Sequence, residues 1–338
     1  MIKLFFPLLG TLLLCTTSSI AQDSLWTSKR PDGHAPISVM GDHIHKKGGF
    51  MFSYRYMTMS MKGTISSSSR ISDEAIYSNY MVSPQTMQMD MHMIGAMYAP
   101  SDNLTLVVMA NYRSSFMDLK TKMGINFSTT SDGFGDVLLA SLYSIFNRNH
   151  QSLHTNIGIS IPVGGINQRD ATPMAVKAPL AYAMQLGSGT FDPFMGATYL
   201  RQWASYSMGI QSTYRFRLGN NSKNYSLGNR FVFVGWGAIK ASDYLSFSTS
   251  INYFNVDKIK GEDPDLNQMM MPLFNTVNSG RSQLDLGIGA NVLFSDETLK
   301  NLRLAAEVKL PIAQDVTGIQ MKNKVSVTIG IQYALAHH

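Results

Sequence analysis

The sequence predicts an all-β transmembrane protein, an antiparallel up-and-down barrel of about twelve strands. Three observations carry that expectation. Apolar and polar residues alternate with a period of two in segment after segment, as in a strand with one oily and one wetted face. Charged residues are 15% of the 338-residue chain, against about 25% in soluble domains. Mean hydropathy is nevertheless −0.04, too low for a bundle of membrane helices. Finally, the connections between segments alternate short and long, as periplasmic turns and extracellular loops do.

The elements follow in chain order. Residues 1–21 read as a secretory signal peptide: Lys3, an apolar run over Leu4–Cys15, then the small residues Ser19 and Ala21 at the cleavage-setting positions. The apolar run is too short to span a bilayer as a helix. Cys15 is the only cysteine, so the mature chain has no disulfide and no thiolate metal site. Residues 22–47 are expected to form a periplasmic N-terminal segment with a His-rich tract, and residues 48–338 the barrel.

Expected strands are Phe50–Ser60, Thr86–Tyr98, Leu104–Phe116, Asp136–Phe146, Leu153–Ile161, Thr190–Arg201, Ser205–Arg217, Arg230–Lys240, Tyr244–Phe254, Gln283–Phe294, Leu302–Leu310 and Val325–Tyr333. Tight turns fall at 99–103, 147–152, 202–204, 241–243 and 295–301; long loops fall around 62–80, 118–133, 162–185, 218–229 and 255–281. An even strand number puts both termini on the periplasmic side. The physical cause is backbone satisfaction. In hydrocarbon every N–H and C=O must pair within the protein, so a sheet can span only if it closes. A secreted β-sandwich also alternates. Aromatics clustered near strand ends (Phe50, Tyr54, Tyr333) and the swing in loop length favour the barrel.

Methionine supplies the candidate site. "MTMSM" (Met57–Met61) and "MQMDMHM" (Met87–Met93) place it at every second position. If Phe50, Phe52, Tyr54 and Tyr56 face lipid, parity sends Arg55, Met57, Met59 and Met61 into the lumen. On the second strand a charge facing the bilayer midplane costs a few kcal/mol. Gln88, Asp90 and His92 are therefore expected inside and the intervening methionines against lipid. Arg113 also falls on an inward face. This lumen set suits a small apolar ligand, which pliable thioether surfaces accommodate, or Cu(I), which soft sulfur selects. Before the first strand, His43 and His45, with His34, Met40 and Asp42 nearby, form a tract suited to metal ions, copper among them.

Together "AMQLGSGTFDP" (Ala183–Pro193), "DGFGDVLLASLY" (Asp132–Tyr143), "LGNRFVFVGWGAI" (Leu227–Ile239) and "LPIAQDVTGIQM" (Leu310–Met321) resemble the outer-membrane family named for the meta-pathway of phenol degradation. "GDHIHKKGGFMFSYRYMTMSM" (Gly41–Met61) looks like a His- and Met-rich N-terminal variant of it. The resemblance covers most of the mature chain. It implies a barrel of the bacterial outer membrane that passes small hydrophobic or aromatic compounds, and it implies no catalytic residues.

The expected function is therefore an outer-membrane channel or transporter for small apolar compounds, with a copper-binding envelope protein as the alternative. Expected partners are outer-membrane lipid, a small apolar ligand and the barrel-assembly machinery. The net charge of +6 is spread along the chain as a rim near lipid headgroups would be, and no nucleic-acid partner is expected. No enzyme is expected: His154 and Ser160 share a strand face but stand too far apart for a nucleophile and its base.

Overall fold

The computed structural model describes residues 25–294, 299 and 301–335; the signal peptide expected over residues 1–21 lies outside the described residues. Eleven strand elements form one antiparallel sheet that closes on itself. They are β1 (Phe50–Ser67), β2 (Val82–Ser101), β3 (Leu104–Thr121), β4 (Val137–Arg148), β5 (Gln151–Ile161), β6 (Asp192–Gln202), β7 (Tyr206–Arg215), β8 (Arg230–Lys240), β9 (Leu245–Val256), β10 (Arg281–Leu293) and β11 (Leu302–Leu335). Each pairs with its neighbour in sequence, and β11 also pairs with β1, which removes every edge.

The last element explains the strand count. Its first half climbs beside β10 as far as Val316, and its second half descends beside β1 from Ser67↔Val316 to Phe50↔Leu335. Gly318, at φ +66°, lies in the reversal, a conformation that glycine alone adopts without strain. One continuous element thus crosses twice, where the sequence suggests strands at Leu302–Leu310 and Val325–Tyr333 with a break between. Two further strands of the same sheet lie off the barrel path, Ser69–Ile71 on β1 and Asn126–Phe134 on β3, the latter overlapping the long loop expected around 118–133, and two small two-stranded sheets stand apart in the loops.

The outward face is predominantly apolar through the membrane zone, with only scattered hydroxyl residues such as Ser141, Thr155 and Thr249. Ile94 and Ile239 are 65% exposed and Ile288 is 64% exposed. Such exposure has no place on a water-facing wall but suits lipid. Phe52, Tyr98, Tyr143, Tyr206 and Tyr333 project outward near the tight-turn end. Tyr112 with Phe134, and Tyr214 with Phe231, lie on the outward face higher up, which makes a second interfacial belt. Buried backbone pairing and this exterior place the chain in the bacterial outer membrane.

The wall is not of even height. β5 to β9 have 10 to 12 residues, close to the roughly 9–11 that a tilted strand needs to cross a bilayer. β1 and β3 have 18 residues and β2 has 20. One side of the barrel therefore stands above the membrane at the long-loop end.

Candidate functional site

The interior is built in three levels. The lowest is filled by the chain's own N-terminal segment. Residues 26–45 lie inside the lumen, not in the periplasm ahead of the barrel as the composition suggested. Inward side chains from strands around the whole circumference hold this plug. His154 of β5 meets the Gly41 carbonyl at 2.9 Å, and Gln211 of β7 donates to the Met40 carbonyl at 3.0 Å. Ser246 of β9 donates to Pro31, and Arg303 of β11 donates to Ala35. Glu307 of β11 accepts from the Ser38 backbone N–H at 3.1 Å, and Thr105 of β3 accepts from His45 N–H at 3.0 Å. Gly330 makes room: a Cβ there would stand 2.9 Å from the side chain of Ile37. The lumen-facing hydroxyls, amides and charges of these strands thus replace the sheet partners that the plug backbone lacks.

The top level is an apolar cluster. Met87, Met117, Leu119 and Met321 on the tall wall pack against Leu180, Ala181, Tyr182, Met184, Tyr225, Leu266, Met271 and Phe274 from the long loops. Met61 and Met89 lean on it from below.

The middle level lies between the two. Its inward side chains are half-exposed although they face away from lipid, so side chains do not fill the space they line. On one side stands a methionine wall. Register pairs Met57 with Met91, Met59 with Met89 and Met61 with Met87, and Met87 in turn pairs with Met117. Arg55 and Met93 pair just below. On the other side, at a comparable distance up their strands, lie arginines. Arg215 of β7 is directly opposite Arg230 of β8, and Val256, opposite Arg230, is opposite Arg281 of β10. Like charges directly opposed on one face destabilise a sheet. Among the described residues, none of these three has a carboxylate within ion-pair distance; Asp192 is taken by Arg217. Arg215 lies over the ring of Phe194 and Arg230 over that of Phe254, at 5.8 and 5.2 Å to the ring centres. Nε of Arg281, and Nε and Nη2 of Arg113, are buried without a hydrogen-bond partner.

This corrects the expected lumen set. Arg55, Met57, Met59, Met61 and Arg113 face inward. Gln88, Asp90 and His92 face outward: the Tyr54 hydroxyl meets the His92 ring at 2.8 Å, the Tyr56 hydroxyl donates to Asp90 at 2.8 Å, and Gln88 donates to Thr58. Met87, Met89, Met91 and Met93, expected against lipid, line the interior. The physical reason is height. The inference that a charge must turn inward holds only inside hydrocarbon, and this part of β2 belongs to the wall that stands in external water. The arginines of β7, β8 and β10 were not singled out from sequence. Their parity was readable there, but only register puts Arg215 against Arg230.

Within the plug, His34, Asp42 and His43 converge. Val39 N–H bonds to the Pro36 carbonyl, closing a turn, and Gly41 at φ +63° reverses the chain. Residues nine apart in sequence thereby meet: the ligating atoms of the three residues lie within 4.8 Å of one another. Asp42 contacts the Nδ1 of His43 at 2.9 Å and accepts the Ala35 N–H at 3.1 Å. The His45 ring packs against His43 at 4.8 Å between centroids. Burial, helped by the Arg303 charge, lowers the His34 pKa; burial and His43 lower that of His45. Burial opposes the charge on Asp42, yet His43 and His34 beside it hold its carboxyl well below the usual range.

No family model matches the chain, and no characterised protein matches it in sequence. Solved structures do. An outer membrane channel from Pseudomonas putida F1 superposes with a TM-score of 0.60 at 12% identity, over 88% of this chain and 99% of that one. The transport unit of the autotransporter AIDA-I from Escherichia coli gives a TM-score of 0.52 at 12% identity, over 88% and 93%. At that identity the likeness concerns the fold, and the fold is that of bacterial outer-membrane barrels.

Proposed function

We propose that the protein is an outer-membrane channel or transporter for small hydrophobic or aromatic compounds, preferentially those that carry an anionic group. One observation carries this reading: the unfilled middle lumen has methionines on one side and, on the other, arginines without an ion-pair partner among the described residues. Thioethers offer a compliant, polarisable surface to an apolar body. Guanidinium groups offer planar donors to a carboxylate. The plug below and the loop cluster above lie in series and describe a closed state, so passage requires the plug to move and the loop cluster to part. The resemblance noted in the sequence points to the same cargo class.

Flux into liposomes containing the full-length protein tests the proposal. An aromatic carboxylate should enter several-fold faster than a neutral sugar of similar size, with a neutral aromatic alcohol between them. Equal rates would remove the cargo assignment. The copper alternative drew on His43 and His45 and on the mouth methionines Met57, Met59 and Met61. The histidines lie in the plug, with His45 tied to Thr105 near the start of β3, whereas the methionines lie higher, Met61 against the loop cluster. The two are therefore separate groups of candidate ligands in this closed arrangement.

A further inference from the structure

We infer that the plug itself carries a site for one divalent first-row transition-metal ion, held by His34, Asp42 and His43 with His45 beside them, and that the ion fastens the plug's hairpin into one body. The inference does not rest on the transport proposal.

Four observations meet here. The three groups of the cluster already stand at mutual distances that one ion bridges, within 4.8 Å. All three are buried, with His34 6%, Asp42 3% and His43 2% exposed. The Nδ1 of His34 and the Nε2 of His45 are buried without a hydrogen-bond partner, a costly condition that a coordinate bond relieves. The Asp42 carboxylate stands 2.9 Å from the Nδ1 of His43 and 3.7 Å from the Nδ1 of His34, so an ion that displaces the proton shared with His43 meets both imidazoles and the carboxylate on one side.

A purely structural His–Asp network accounts for the Asp42–His43 bond and brings the Nδ1 of His34 to 3.7 Å from Asp42, beyond hydrogen-bond distance, but it leaves the buried Nε2 of His45 unexplained. His154 has the same character at the edge of the cluster: Nε2–H points to the Gly41 carbonyl, so Nδ1 is a bare, buried lone pair without a donor. A site of imidazoles with one carboxylate suits Cu²⁺, Ni²⁺ and Zn²⁺ better than Ca²⁺ or Mg²⁺, and Cu²⁺ binds such a set most tightly. The ligands come from both arms of the hairpin, 34 on one and 42 to 45 on the other. Binding therefore favours the docked plug over a loosened one.

The test uses the full-length protein, purified in detergent without a polyhistidine tag and folded as judged by heat-modifiable electrophoretic migration. Elemental analysis after equilibration with Cu²⁺ or Zn²⁺ and buffer exchange should find one equivalent, with Cu²⁺ displacing Zn²⁺. The Cu²⁺ form should show nitrogen hyperfine structure in its electron paramagnetic resonance spectrum. His34→Ala and His43→Gln should lose the ion, and His92→Ala, on the outer surface, should keep it. If the histidine variants do not fold, Asp42→Asn preserves side-chain volume and should raise Kd at least about tenfold. A wild-type protein that retains no metal, or one whose stoichiometry and spectrum survive these substitutions, overturns the site. Failure here leaves liposome flux untouched, and failure of flux leaves the metal untouched.

Discussion

The lower and upper parts of the lumen are closed by opposite chemistry. Below, a segment local to the N-terminus is held by polar side chains. Ser246, His154, Glu307 and Arg303 are all at or below 3% exposure, each spent on a plug carbonyl or N–H. Above, segments far apart in sequence meet mainly through apolar contacts of Met87, Met117, Met184 and Phe274, with a few hydrogen bonds beside them, such as Ser131 to the Met184 carbonyl and Val82 N–H to the Met270 carbonyl. A hydrogen-bonded closure is directional and fits one partner. A methionine closure is pliable and can repack around a guest. The lower seal therefore reads as a gate with a set position, and the upper one as a compliant lid.

The most drastic way to break that comparison is to delete residues 22–47. Conductance in planar bilayers should rise from a closed level to an open level set by the loop cluster alone, while heat-modifiable migration persists because no barrel strand is touched. An unchanged closed trace would show that the loops alone seal the pore. Next in size, Gly330→Leu inserts a side chain where even a Cβ meets Ile37 at 2.9 Å. It should displace the plug in part and give flickering openings, against a silent Ala control on the lipid face at Ile331.

Smaller effects probe the middle and upper levels. In the plug-deleted channel, Arg215→Gln with Arg230→Gln should lower the anion-to-cation permeability ratio several-fold, as read from reversal potentials in a salt gradient. No shift would mean that the arginines do not face the ion path. Smallest is the contrast between neighbours on β2. Met87→Ala removes a side chain 2% exposed and should cost about 2–5 kcal/mol in denaturant unfolding. Gln88→Ala, one residue on, should cost under about 1 kcal/mol. Equal costs would place both on the same kind of surface and reverse the orientation assigned to this strand.

Much of the architecture was legible in the sequence. The segment Gln283–Phe294 is observed as Arg281–Leu293, and Arg230–Lys240 is observed with those bounds. Even the continuous element at the end contains both expected strands. Parity on the first strand also placed Arg55 and Met57–Met61 correctly, because Phe52 and Tyr54 lie within the bilayer, where the rule about lipid-facing residues applies. The same rule applied to Gln88, Asp90 and His92 inverted the second strand, since nothing local states where hydrocarbon ends. The His-rich tract was visible as a composition. Its convergence with Asp42 needed the turn at Pro36–Val39 and the reversal at Gly41.

By itself, then, the sequence determined that the chain alternates and spans a membrane as strands. That property is local, since period two is imposed by the pleat and by the need to pair every backbone group. Tertiary structure alone decided which alternate face of β2 is the inside, that residues 26–45 fill the barrel they precede, and that Arg215 confronts Arg230. Those outcomes depend on register between strands, on wall height relative to the bilayer and on long-range polar complementarity, none of which a single strand carries.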